Sequence, residues 1–209
     1  MFYESEPSRA LRFGDILQGF VFVEADVSDP KNQRSYKINV KNPSFSVVMT
    51  PCCSIGKKVL SLTPLIEIRP SFFDNPYFED DLTRINRTMR PEETVSPTIW
   101  QEFPPEEKAK RLRETESYAV ADVFIYEKHD LLPPYQLLLR GKRNTVSTSY
   151  YMIDFKNIYI IKCDKVNSAE DSPYDLKNLE LTVQTRNELR NKLGAFFKRR
   201  PLEDRILED

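Results

Sequence analysis

The densest apolar pattern in the chain lies at 46–68, SVVMTPCCSIGKKVLSLTPLIEI. Two apolar runs, about 45–50 and 58–68, flank Pro51-Cys52-Cys53-Ser54-Ile55-Gly56-Lys57-Lys58, which predicts a strand, a tight turn and a second strand. Residues 1–12 read as a lead-in segment. Ahead of the central unit, FGDILQGFVFV (13–23) predicts a first strand, or one bent at Gly19, because Phe20 to Val23 form a β-favouring run. Residues 24–43 are polar and carry Asp29-Pro30 and Asn42-Pro43, so a long loop is expected. From 69 to 118 the pattern breaks at Pro70, Pro76, Pro91, Pro97, Pro104 and Pro105. A helix is expected over about 105–117, with Pro105 first, Glu106 and Glu107 at its positive end, and Ala109 and Leu112 inward. The large apolar residues of this segment are sparse, which predicts that it lies against the β core and lacks a core of its own. A strand is expected at 118–127, another strand or a short helical turn at 133–140, and a turn at Gly141-Lys142-Arg143-Asn144. TSYYMIDF (148–155) and NIYIIKC (157–163) predict a hairpin, and Leu179–Val183 a last strand. The final helix carries Leu189, Leu193, Phe196 and Phe197 at helical spacing, with Thr185 and Glu188 set as a capping box and Lys198, Arg199 and Arg200 at its negative end.

Composition narrows this picture. The chain has 209 residues, 40% of them hydrophobic, enough for a real core. The formal net charge of −1 gives no global field toward nucleic acid, so any polyanion site must be a local patch. No apolar run approaches the ~20 residues of a membrane span, and the N-terminal residues carry acids in place of a secretory signal's apolar region. Three cysteines, two of them adjacent, argue for a reducing cytoplasm rather than a disulfide framework. With 5 glycines, glycine-rich phosphate loops are nearly excluded.

Candidate chemistry centres on Cys52 and Cys53. A thiolate nucleophile needs nearby cations or a base, and Lys57 and Lys58 stand close in sequence. The alternative is one cysteine in the core and one in the turn. Cys52, Cys53, Cys163 and the only histidine, His129, lack the usual metal-ligand spacing, so neither a metal nor another cofactor is expected. His129 sits in a Lys128-His129-Asp130 setting that reads as an exposed loop. Glu79-Asp80-Asp81 and Glu92-Glu93 read as solvated faces. For RNA, Lys142 and Arg143 could meet phosphates while Tyr150 and Tyr151 stack bases. The alternative is a solvated turn beside core tyrosines.

Gly14-Asp15-Ile16, Val47-Val48-Met49-Thr50 and Leu62-Thr63-Pro64-Leu65 resemble the motifs of the MazF/PemK-like toxins. A cysteine after the second apolar strand and the tail Phe196-Phe197-Lys198-Arg199-Arg200-Pro201 resemble that family's diverged, often prophage- or defence-associated relatives. The resemblance covers 13–68 and the tail. It implies an SH3-like barrel, and it implies Asp15 and Thr50 near RNA, with Thr50 in place of a catalytic hydroxyl. The family's Arg-Pro is replaced by Lys41-Asn42-Pro43-Ser44-Phe45-Ser46, so the cation that would stabilise a phosphorane-like transition state is missing.

The expected fold is therefore α+β: a small, mainly antiparallel SH3-like β-barrel (about 13–68 and 118–183) with a helical insertion (about 69–117) and a C-terminal helix (about 185–200), all in a single domain. The expected function is a non-catalytic interaction module of a bacterial or phage cytoplasmic system, associated with defence or with toxin–antitoxin pairs and working with a protein partner. The alternatives are a diverged endoribonuclease acting through Asp15, Thr50, Lys142 and Arg143, and a thiol-dependent enzyme or redox sensor using Cys52 or Cys53. The sequence gives no oligomeric state.

Overall fold

The structure, a computed structural model, describes residues 1–27, 36–56, 58–74, 78–87, 102–107, 110, 122–139, 145–164, 166–170 and 177–198. Among these the chain is α+β, with eleven strands paired antiparallel and one long helix. The chain divides into two compact units. One comprises 3–66 and 157–180; the other comprises 1–2, 67–156 and 181–209.

The first unit is built on five antiparallel strands. They are β1 (Ile16–Leu17), β4 (Phe45–Val48), β5 (Val59–Glu67), β10 (Tyr159–Lys162) and β11 (Lys177–Leu179), in the order β11-β1-β4-β5-β10. Ile16 pairs with Val47, Leu17 with Ser46, Val48 with Leu62, and Tyr159 with Leu62 on the far side. Period-2 alternation then places Leu17, Val48, Leu60 and Leu62 on one face, where they join Leu11, Phe22, Ile55 and Val166 in a buried core. The central strand–turn–strand thus forms as the apolar pattern predicts. A short 3-10 turn, Cys52–Ser54, occupies the connection.

The run at 13–23 is two strands. Gly19, at φ 87°, turns the chain between β1 and β2 (Phe22–Val27). β2 pairs with β3 (Tyr36–Lys41) in a separate two-stranded ribbon, so parts of the expected 24–43 loop are strand. The register sets Val23 opposite Val40, Ala25 opposite Ile38 and Glu24 opposite Asn39. The β potential of Tyr36-Ile38-Val40 outweighs the lysines and asparagine between them, which simply take the other face.

The second unit holds β6 (Val123–Tyr126) paired with β9 (Tyr151–Asp154), and a ribbon of β7 (Tyr135–Leu138) with β8 (Thr145–Thr148). Helix α1 (Phe78–Asn86) lies on β6, burying Phe78, Leu82 and Ile85. The segment expected to lean on a barrel therefore contributes to this unit's own core, together with Phe72, Phe124, Tyr126 and Leu189. The expected 148–155/157–163 hairpin does not form. β9 pairs with β6, and β10 pairs with β5. Of the helix expected at 105–117, residues 105–107 are helical and most of the remainder lies outside the described residues.

Helix α2 (Val183–Phe197) starts earlier than the capping-box reading places it. Its N-cap is Thr182, whose Oγ1 accepts from the Thr185 N–H at 3.3 Å. The buried stripe runs through Thr185, Leu189 and Lys192, whereas Phe197 is exposed. Lys192 is buried because its ammonium donates to the Ile85 carbonyl in the last turn of α1, where the helix dipole favours a cation.

Candidate functional site

Asp15 enters the sheet at the start of β1. Its backbone carbonyl accepts from the Val48 N–H at 3.0 Å, which draws the side chain into the sheet's interior. The carboxylate is fully buried. Its Oδ2 accepts from the Arg12 N–H at 2.7 Å and lies 2.9 Å from Lys177 Nζ. Lys177 Nζ also meets Glu180 Oε2 at 2.8 Å and the Ala10 carbonyl at 2.8 Å. Glu180 Oε2 in turn accepts from the Ser8 N–H at 2.7 Å. Oδ1 of Asp15 has no hydrogen-bond partner among the described residues. Burial pushes the Asp15 pKa up to about 7, an effect that Lys177 and the Arg12 N–H only partly offset. For Glu180, burial raises the pKa, but Lys177 and Ser8 outweigh it and the net shift is downward. The arrangement is a buried ionic clip that fixes residues 8–15 to β11.

Thr50 is also buried, and its Oγ1 accepts from the Ser61 N–H at 2.6 Å. That hydroxyl closes a backbone position where β4 ends beside β5, a structural bond. Cys52 is half-buried, with its sulfur accepting from the Phe13 N–H at 3.4 Å. Cys53 is exposed, 3.8 Å from Ser54 Oγ. Asp15, Thr50 and Cys52 thus fall in the same unit but bond to separate partners. Cys163 is half-buried against the core of that unit. Lys57, Lys142 and Arg143 lie outside the described residues.

Tyr150 and Tyr151 belong to the core of the second unit, at 7% and 8% exposure. Phe78 meets the Tyr150 ring edge-on at 5.2 Å, and the Lys128 ammonium lies 4.8 Å from its centre. The Tyr151 hydroxyl donates to the Pro133 carbonyl at 2.8 Å. Both rings are packed on protein. His129 Nδ1 accepts from the Leu131 N–H at 3.1 Å, which shapes its own loop. Among the described residues no three His, Cys, Asp or Glu side chains converge as metal ligands, and no helix is long and apolar enough to cross a membrane.

The feature that sequence reasoning missed is the β2–β3 ribbon. Its polar face is anchored at the base. Phe22 is buried with its ring 4.8 Å from Tyr159. Lys41 Nζ pairs with Glu24 Oε2 at 2.7 Å, and the Tyr159 hydroxyl donates to Glu24 Oε1 at 3.2 Å. The Lys41 and Tyr159 hydrogen bonds pull the Glu24 pKa down. The opposite face is apolar and open: Val23 is 61% exposed, Tyr36 59%, Ile38 59% and Val40 66%. All six residues of β3 are exposed. The signal was the alternation Tyr36-Ile38-Val40, masked by its charged neighbours.

Compared with protein-family models, with curated proteins and with solved structures, the chain matches none.

Proposed function

We propose that the chain is a non-catalytic interaction module that holds a protein partner on the apolar face of the β2–β3 ribbon. One observation carries this reading: four large apolar side chains, Val23, Tyr36, Ile38 and Val40, stand open on one face while Phe22, Glu24 and Lys41 anchor the other. A two-stranded ribbon is marginal in water unless a further layer or strand covers it. An open, contiguous apolar face of this kind marks a contact surface.

The reading carries with it the bacterial or phage cytoplasmic setting, and a role in defence or beside a toxin–antitoxin pair. The antiparallel run β1-β4-β5, bearing Gly14-Asp15-Ile16 and Leu62-Thr63-Pro64-Leu65, supports kinship with the SH3-like barrel of MazF/PemK-like proteins. The ribonuclease alternative draws less support, because Asp15 is engaged by Lys177 and Thr50 by the Ser61 N–H. The thiol alternative keeps one favourable observation, the exposed Cys53.

The test replaces Val23, Ile38 and Val40 together by threonine, which keeps β-branching and removes apolar surface. The variant should fold with an unchanged circular dichroism spectrum and lose the partner that the wild-type chain retains in pull-downs from its native host. Retention of the same partner by the folded variant removes the ribbon from the reading.

A further inference from the structure

The edge of β3 points to the chemistry of the partner. We infer that the ribbon accepts an extended segment that alternates apolar and acidic side chains, added as a third strand along β3. This rests on the interaction reading and specifies what the ribbon holds.

Among the described residues β3 pairs with β2 alone, so its outer row of N–H and C=O groups is open along Tyr36–Lys41. An open edge is a template for another strand. The six residues span about 20 Å at ~3.3 Å per residue, enough for a strand of ordinary length. Alternation divides the edge into two rows. Tyr36, Ile38 and Val40 border the apolar face, whereas Lys37, Asn39 and Lys41 border the polar one. A strand laid beside β3 sets alternate side chains against each row. The apolar row takes apolar partners. In the other row Glu24 already holds Lys41, so Lys37, which makes no ion pair among the described residues, is the cation left for a carboxylate, because opposite charges across a strand pair attract and like charges repel.

The same charges discriminate against a second copy of this chain. Two β3 strands paired about a two-fold axis at Asn39 set Lys37 directly opposite Lys41 of the other copy. That arrangement is destabilising, and edge lysines are a known device against self-pairing. A basic segment meets the same repulsion.

The experiment uses the full chain and two blocked seven-residue peptides, one alternating Glu and Val and the other alternating Lys and Val. Binding is read from amide NMR shifts, and contact with the edge from slowed hydrogen exchange at the alternate β3 amides whose N–H groups point away from β2. The acidic peptide should bind at least tenfold more tightly than the basic one at low salt. Lys37→Gln should erase that preference, and Lys37→Glu should reverse it. Both variants spare the Glu24–Lys41 pair. Equal binding of both peptides overturns the acidic assignment and leaves the apolar docking face standing. Protection of β3 amides that grows with protein concentration, with a dimer in sedimentation, makes a second copy the occupant and overturns the inference. No response to either peptide by a monomeric protein overturns it as well, while the threonine variant above judges the docking face separately.

Discussion

Lys177 Nζ lies 2.9 Å from Asp15 Oδ2, with both side chains almost wholly out of water, at 4% and 0% exposure. A buried pair of this kind gains attraction from low dielectric and loses hydration, and removing one partner leaves the other charge stranded. Lys177→Met strands both Asp15 and Glu180. It should cost about 3–5 kcal/mol of stability, read as a lower urea midpoint at pH 7.5. A loss within ~1 kcal/mol would mean that the clip is not formed in solution.

The same carboxylate sets a pH dependence. The Asp15 pKa stands at about 7 in the folded chain against an ordinary value of 3.8. Between those values the folded state holds a proton that the unfolded state has released. Its stability contribution is therefore full below about pH 4 and is lost as pH rises through about 7. Glu180, shifted downward, works in the opposite sense: its contribution is present above its unfolded pKa and is lost only in acid. A Tm series from pH 5 to 8 should fall with rising pH in the wild type. Asp15→Asn should flatten that slope, and an equal slope in the variant would assign the titration elsewhere.

Asn86, at the end of α1, accepts from the Ile125 N–H at 2.8 Å and donates to the Ile125 carbonyl at 2.7 Å. The side-chain amide thus serves as a strand neighbour for β6. Asn86→Ala leaves both backbone groups buried and unmet, and each orphan costs about 1–3 kcal/mol. The expected loss is about 2–4 kcal/mol in urea unfolding, with faster exchange of the Ile125 amide. Asn86→Asp keeps the acceptor but not the donor and should fall between.

These three groups mark the boundary of what the sequence reveals. Local apolar pattern placed β4, β5 and α2, because Val47-Val48-Met49 and the Leu189 stripe read in short windows. It could not place the partners of Asp15 or Asn86, since Lys177 and Ile125 lie far along the chain. The hairpin expected from 148–163 failed for the same reason: β9 and β10 are neighbours in sequence but each pairs with a distant strand. The ribbon was missed because an exposed strand needs no hydrophobic average, and only its period-2 alternation distinguishes it from loop. Within the candidate site, Cys52 and Cys53 were visible as unusual residues, yet their different exposure follows from where the 3-10 turn lies against Phe13.

Gly56 sits at φ 147°, and a Cβ there would meet the Asn167 carbonyl oxygen at 3.0 Å. Its backbone also bridges to both Val59 and Ser168. Gly56→Ala should destabilise by about 1–3 kcal/mol, since both the dihedral angle and the close approach oppose it. Lys58, at φ 62°, is the contrasting position. Lys58→Gly relieves a left-handed conformation at the expense of one exposed ion pair with Asp164, and should stabilise by up to about 1 kcal/mol. Paired urea melts of the two variants, moving in opposite directions, check the geometry of this turn.

The thiols should separate by rate. Cys53 is exposed, whereas Cys52 is half-buried with its sulfur engaged by the Phe13 N–H. Timed alkylation of the native protein with iodoacetamide, read by mass spectrometry, should modify Cys53 first and Cys52 several-fold more slowly. Equal rates would mean that the Phe13 contact does not shield the sulfur. The Cys52→Ser/Cys53→Ser double variant then decides between the module and the thiol reading. It should retain the partner that the wild type holds, because the ribbon is untouched. Loss of the partner, or of any measured activity, in a variant that still folds would move the functional centre from β3 to the Cys52–Ser54 turn.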